Sequence, residues 1–363
     1  MMRVGIIGCG NISDIYLKNL SGVPHMQVTA VADQIPERAQ AKAAQYEVKA
    51  LSVDQLLADA TIDMVINLTV PSAHGAVSLA ALEAGKHVYG EKPLALTAAE
   101  GRRLIDVSQG QGRRIGSAPD TVLGAGIQTA RKMIDDGWIG EPVAAAAFMT
   151  SHGHENWHPD PEFFYQPGGG PLFDMGPYYL SALFQLMGAV RRVTSIAVQT
   201  FAERLIGSAP HRGERITVRT PTHVAGSLEF HTGAVATLIT SFDVWHARLP
   251  RIEIYGSEAT LSVPDPNTFG GPVEIRRFDA REWSSVPLLA GPTENARGLG
   301  AVDLAAAVAE NRMARADGVI AQHVLEVMEA LLVSSQTGRH QDILSRPERP
   351  PAMPMHPDAL PHR

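Results

Sequence analysis

Over its first 120 residues the sequence alternates short apolar runs with helix-forming segments, and the recurrence of that alternation leaves few folds open. Val4–Ile7, Val28–Ala32, Met64–Leu68, His87–Tyr89 and Arg114–Ser117 read as strands, each too short and too uniformly apolar for a helix. Ile12–Leu20, Pro36–Tyr46, His74–Ala84 and Ala98–Gln109 lie between them, rich in good helix formers and long enough for crossover connections. Strands that are apolar on both faces belong in a parallel sheet covered on both sides. The spacing therefore predicts an α/β chain whose first domain, residues 1–120, is a doubly wound parallel sheet.

Beyond residue 120 the pattern changes. A helix is expected over Leu123–Asp136, a strand over Val143–Thr150 and a second helix over Met175–Met187. From Val190 to Asp279 the chain alternates apolar and polar residues between turn signals such as Thr232-Gly233 and Gly256-Ser257. That predicts a second, α+β domain over 121–340 with a large open, mainly antiparallel sheet, one face of which needs cover from helices or another subunit. Ala301–Ser335 is read as one or two returning helices. The segment 341–363 carries six prolines from Pro347 to Pro361 and is expected to be extended along the surface.

Composition limits the partners. The 363 residues carry a formal charge of −7, which disfavours nucleic acid or an anionic membrane as the main partner. A single cysteine, Cys9, excludes an intramolecular disulfide and a cysteine-based zinc site, and with no signal-peptide or membrane-spanning run recognised the expected compartment is the cytoplasm.

Gly8-Cys9-Gly10-Asn11-Ile12-Ser13 sits where the first strand meets the first helix. In that context Gly8 permits a tight turn and Gly10 lets backbone N–H groups approach a pyrophosphate at the helix N-terminus. Ser13 replaces the usual third glycine at a position that serves packing. Asp33 ends the second strand, where a carboxylate accepts from ribose hydroxyls and repels a 2′-phosphate. The cofactor is therefore read as NAD in preference to NADP, with Arg38 close enough in sequence to keep NADP open. Cys9 is read as a small buried residue of the loop.

These motifs, followed by Thr69-Val70-Pro71-Ser72-Ala73-His74, Glu91-Lys92-Pro93 and Gly168-Gly169-Gly170-Pro171-Leu172-Phe173-Asp174-Met175-Gly176, resemble the glucose–fructose oxidoreductase, inositol dehydrogenase and rhizopine-catabolism (Gfo/Idh/MocA) family. The resemblance implies an N-terminal Rossmann domain, a C-terminal domain whose sheet packs against another subunit as a homodimer or homotetramer, and hydride transfer between a nicotinamide and a secondary hydroxyl of a sugar or cyclitol. It also implies a cofactor site including Leu68, Thr69, Pro71, His74, Glu91 and Lys92, with Lys92 at the catalytic-lysine position and Pro93 after a cis bond. Some members resemble glycoside hydrolases that keep NAD bound, and the fold alone also allows an NAD-sensing regulator.

The sequence departs from the family's Asp-x-Gly-x-His, because Tyr178 stands where histidine is usual. Asp174 and Tyr178 are four apart and would share a helix face, although Asp174 could instead cap a helix. Lys92 beside an oxidised nicotinamide is expected to have a lowered pKa. Substrate contacts are expected from Lys92, Asp174, Tyr178 and the loop that holds His152, His154, Trp157, His158 and Tyr165, whose rings and imidazoles suit a pyranose. Three histidines also invite a metal, but no helix or strand fixes their spacing and no metal is expected. Asp120 is a further candidate for the pocket, or else an N-cap of the helix that follows it.

Overall fold

The computed structural model describes residues 1–289 and 291–354. Its first sheet is formed by β1 (Met2–Ile7), β2 (Met26–Ala32), β3 (Lys49–Leu51), β4 (Met64–Asn67), β5 (His87–Gly90) and β6 (Ile115–Ser117), all parallel, in the order 3-2-1-4-5-6. Helices α1 (Ser13–Leu20), α2 (Pro36–Tyr46), α3 (Val53–Ala58), α4 (Pro71–Glu83) and α5 (Ala98–Gly110) make the crossovers. The order reverses between β1 and β4, so a crevice opens there at the carboxyl ends of the strands. β3 and α3 had no counterpart in the sequence reading. β3 is three residues long at the sheet edge and half exposed, too short to show a period.

After a single 3₁₀ turn over Asp120–Leu123, α6 (Ala125–Asp135) leads to β7 (Pro142–Thr150) and α7 (Gly170–Met187). Eight strands follow: β8 (Val190–Val198), β9 (Glu203–Leu205), β10 (Arg215–Thr217), β11 (His223–Phe230), β12 (Val235–Ser241), β13 (Ile252–Gly256), β14 (Ala259–Val263) and β15 (Val273–Arg277). β16 (Ser284–Val286), α8 (Leu299–Glu310), α9 (Gly318–Thr337) and β17 (Gln341–Asp342) complete the described elements. The second sheet has nine strands in the order 16-15-14-13-7-12-11-8-17, antiparallel except for the parallel pair of β7 and β12. β9 and β10 form a separate hairpin.

The C-terminal helices knit the two sheets together. α8 follows the second sheet in sequence but packs on β5 and β6, where Ala301, Leu304 and Ala307 join Val4, Ile6 and Ile66 in one apolar cluster. α9 is long and apolar enough by length and composition to cross a membrane. It lies instead against β8, α5 and α7, burying Ile320, Val324, Leu325, Met328 and Leu331.

The proline-rich segment is held more firmly than a surface strand. The Pro350 carbonyl accepts from Arg131 Nη2 at 2.7 Å, the Pro351 and Ala352 carbonyls accept from Arg315 Nε at 3.1 and 3.2 Å, and the Met353 N–H donates to Gln128. Prolines leave carbonyls without helix or sheet partners, and buried guanidinium groups need acceptors, so the two needs meet here. Pro357 and Pro361 lie outside the described residues.

Candidate active site

The cofactor loop is built on contacts between backbone and Asp33. Gly8 has φ +104°, and a Cβ there would lie 2.5 Å from the Leu68 carbonyl carbon, so only glycine fits. A Cβ on Gly10 would meet nothing within 4 Å, which leaves the front of the loop open for a pyrophosphate. Ser13 is fully buried and its hydroxyl donates to the Gly10 carbonyl at 2.6 Å, so it closes the turn from inside as a packing residue. Asp33 accepts from the Cys9 N–H at 2.7 Å and the Ile35 N–H at 2.8 Å, which orients its carboxylate at the end of β2 with lone pairs to spare for ribose hydroxyls. Burial, reinforced by Asp33, pushes the Cys9 thiol up to about 11, so it stays protonated and inert. Asn11 and Ile12 lead into α1, and Arg38 is exposed on α2. Together these groups fit a dinucleotide.

His74 does not reach that crevice. It is buried in α4 with Nδ1 2.8 Å from the Pro93 carbonyl oxygen and Nε2 2.9 Å from that of Thr69, so it ties the Thr69 and Lys92-Pro93 loops together rather than touching a ligand. Leu68 is buried and faces Gly8 with its backbone, the Thr69 hydroxyl donates to Asn67, and Pro71 opens α4. Glu91 accepts from the Tyr16 hydroxyl at 2.8 Å and from the Lys92 N–H at 3.1 Å, anchoring the loop after β5 to α1.

Lys92, which precedes a cis peptide bond to Pro93, crosses from the first sheet to α7. Its Nζ donates to the Asp174 carbonyl at 2.6 Å and to Asp174 Oδ1 at 2.7 Å, and lies 5.2 Å from the centre of the Tyr178 ring. Burial alone would lower the Lys92 pKa, but Asp174 and then Tyr178 outweigh it and the net shift is upward. The protein's own groups therefore favour the charged form of Lys92. The Asp174 carboxyl is correspondingly held well below the usual range: burial opposes this, and Lys92 and His154 overcome it. α7 begins at Gly170 with Pro171 in its first turn, so Asp174 sits inside the helix and is not its cap. Pro177 removes an N–H from the same stretch of the ladder. Burial pushes the Tyr178 hydroxyl above the phenol range despite the opposing pull of Lys92 and Arg297.

The loop after β7 brings a second group to Asp174. His154 Nε2 lies 3.3 Å from Asp174 Oδ2, so the carboxylate is bracketed by an ammonium and an imidazole. His154 stacks on Phe164 at 3.8 Å and is tilted against Trp157 at 5.0 Å, while His158 meets Trp157 edge-on. Tyr165 does not line a pocket. It is fully buried and its hydroxyl donates to Glu155, whose other oxygen accepts from Arg204 Nη1 at 3.1 Å. Arg204 Nη2 donates to Asp243 and to the Phe242 carbonyl, completing a buried ionic base beneath the loop. Asp120 is also structural: it is 1% exposed and accepts from the Gly298 and Gly300 N–H groups at 2.8 and 3.1 Å, which caps α8 rather than the helix next in sequence. Burial outweighs those two donors and pushes its carboxyl up to about 6.

Sequence reasoning missed Arg204, Asp243, Trp245 and Arg297. Each lies in a short strand or loop with no motif around it, and only the fold brings them near residues 152–178. Among the described residues no cluster of three or more His, Cys, Asp or Glu is arranged to hold a metal.

The glycine loop with Asp33 on the first sheet, and the Lys92–Asp174 pair that joins that sheet to α7, are the groups this fold brings to the site. The chain belongs to the Gfo/Idh/MocA family. The family's model of an oxidoreductase NAD-binding Rossmann fold matches residues 2–118, and its C-terminal domain model matches residues 127–262. Inositol 2-dehydrogenase of Salmonella typhimurium is 34% identical over 172 residues, which are 45% of this chain and 48% of that protein, so the match spans about half that relative's length. D-glucoside 3-dehydrogenase of Escherichia coli is 29% identical over 247 residues, covering 66% of this chain and 70% of that one. The fold is shared with levoglucosan dehydrogenase solved with NADH and L-sorbose, at a TM-score of 0.80 and 20% identity over 94% of this chain and 98% of that one.

Proposed function

We propose that the chain is an NAD-dependent dehydrogenase that oxidises a secondary hydroxyl of a pyranose, a glycoside, an anhydrosugar or a cyclitol. The observation that carries this reading is the Lys92–Asp174 contact at the carboxyl edge of the cofactor sheet. The relatives' names, inositol and glucoside dehydrogenases, point to the same substrate class.

Gly8, Gly10, Asn11 and Ile12 would hold the pyrophosphate through backbone N–H groups, and Asp33 the adenosine ribose. When bound, NAD supplies the hydride acceptor. The chain's own residues manage the hydroxyl. Lys92, kept charged by Asp174, donates a hydrogen bond to the reacting oxygen and stabilises negative charge as it develops there. Asp174 accepts from a neighbouring hydroxyl and so selects a diol. The proton lost from the reacting oxygen passes by way of the Asp174 carboxylate to the His154 imidazole, whose Nε2 lies 3.3 Å from Asp174 Oδ2, while Lys92 stays charged.

Purified protein incubated with NAD and a panel of sugars, glycosides and cyclitols is expected to accumulate NADH continuously, with a new ketone in the product. Sugar release without net NADH would favour hydrolysis through a transient ketone and overturn the dehydrogenase reading. For the cofactor, Asp33→Ser is expected to weaken NAD binding roughly tenfold or more relative to NADP, because a charge-assisted hydrogen bond is worth about 1.5–3 kcal/mol. Fluorescence titration of both cofactors checks it, and an unchanged ratio sinks the ribose assignment.

The second sheet also suggests self-association. Ile196 is 71% exposed on β8, with Val198 beside it and Val235 on β12 exposed on the same face. A homodimer or homotetramer formed through this face would cover them.

A further inference from the structure

Outside the Lys92–Asp174 cluster, the indole of Trp245 is a large apolar group beside the loop that the reaction does not use. Trp245 follows β12 and is 67% exposed, yet its orientation is fixed: one face lies parallel to the His152 ring, 3.3 Å away between centres with 12° between planes. His152 Nε2 is in turn 3.5 Å from Arg204 Nη1, and Arg204 is anchored in the buried base formed with Glu155 and Asp243. An exposed tryptophan backed by a stacked imidazole on an ionic footing is a rigid platform with one open face.

Its position relative to the reacting centre follows from the loop. His152 and His154 are separated by Gly153, at φ +86°, where a Cβ would lie 2.0 Å from the Tyr165 hydroxyl. That turn holds its place, and two residues span at most roughly 7 Å, the scale of one six-membered ring and its linking oxygen. His154 touches Asp174 and has Trp157 beside it, whereas His152 has Trp245 beside it. The guanidinium that touches His152 is already paired with two carboxylates, so it offers no free charge to an anion. Flat apolar rings beside neutral hydrogen-bonding groups suit the C–H face of a sugar or an aryl group.

We propose that Trp245 and His152 form a second ring subsite, so that the substrate is a glycoside bearing a second ring, sugar or aryl, on its anomeric oxygen. This inference rests on the sugar-dehydrogenase reading. Trp245 supplies the stacking face on its open side, and His152, stacked on the other side with Nε2 toward Arg204, holds the indole in place.

The test compares kcat/KM for methyl β-glucoside, cellobiose and p-nitrophenyl β-glucoside, with methyl α-glucoside and maltose alongside, in the wild type, Trp245→Ala and Trp245→Phe. The wild type is expected to prefer the two-ring substrates of one anomeric series. Trp245→Ala should reduce their kcat/KM about tenfold, mainly through KM, with the methyl glycoside unchanged and Trp245→Phe recovering part of the loss. Equal effects on one-ring and two-ring substrates overturn the subsite, as does no effect on either or a change of oligomeric state that accounts for the loss. If the wild type turns over none of these sugars, the dehydrogenase reading has failed separately. Calorimetry then decides the subsite: disaccharide binding that Trp245→Ala abolishes supports it, and absence of binding in the wild type overturns it.

Discussion

Lys92→Ala is expected to reduce kcat/KM by about 10³-fold while leaving NAD binding in place, since donors at a developing oxyanion and acid–base groups each contribute at that level. The size of the effect follows from what the ammonium does in the folded chain. Nζ is bonded to both the carbonyl and the carboxylate of Asp174, so its removal deletes the donor to the reacting oxygen and leaves a buried carboxylate facing only His154. Asp174 should then take up a proton more readily, because Lys92 is one of the groups holding its pKa down. Lys92→Arg should rescue little, because a planar fork cannot occupy the place of a compact ammonium between two oxygens of one residue. Steady-state kinetics with a fluorescence titration of NADH separates the two effects, and turnover within a few-fold of the wild type would remove Lys92 from the chemistry.

Arg204→Leu is expected to cost about 3–5 kcal/mol of stability, the penalty for stranding buried charges. Arg204, Glu155 and Asp243 are all nearly inaccessible, and one guanidinium serves both carboxylates. Leucine fills part of the volume but strips Glu155 Oε1 and Asp243 Oδ1 of their guanidinium, leaving Glu155 with the Tyr165 hydroxyl and Asp243 with the Thr200 and Thr222 hydroxyls, all at the opposite oxygens. Denaturant unfolding measures the loss, and Arg204→Leu combined with Glu155→Gln and Asp243→Asn should recover much of it. A single variant as stable as the wild type would show that the carboxylates find protons or water at no cost.

The first sheet was legible because its strands are uniformly apolar and its crossovers carry helix-forming residues, both local signals. The glycine loop and Asp33 were legible for the same reason: strand, turn and helix lie within about thirty residues, the compass of one βαβ unit. The second half was legible as alternation only. Nothing local to Val235–Ser241 tells that it runs parallel to β7 while its other neighbour is antiparallel. Among candidate residues, errors arose where a polar side chain near a strand end was assumed to face ligand. Asp120 caps a helix 178 residues away, and His74 and Tyr165 turn inward onto the Pro93 carbonyl and Glu155, orientations that are invisible until the chain is folded. Conversely, the imidazole brought to Asp174 from 20 residues upstream was legible only as a member of a polar aromatic loop.

The carbonyl strap of Pro350–Ala352 has a mechanical meaning. Arg131 belongs to α6, which packs with the second sheet, whereas Arg315 is paired with Asp303 on α8, which packs on the first. One stretch of chain thus grips both halves of the molecule on the side away from the glycine loop, like a stay wire across a hinge. Relative motion of the two halves would have to pivot about those three carbonyls or break their hydrogen bonds, so a restraint on the crevice comes from a segment with no residue in the site.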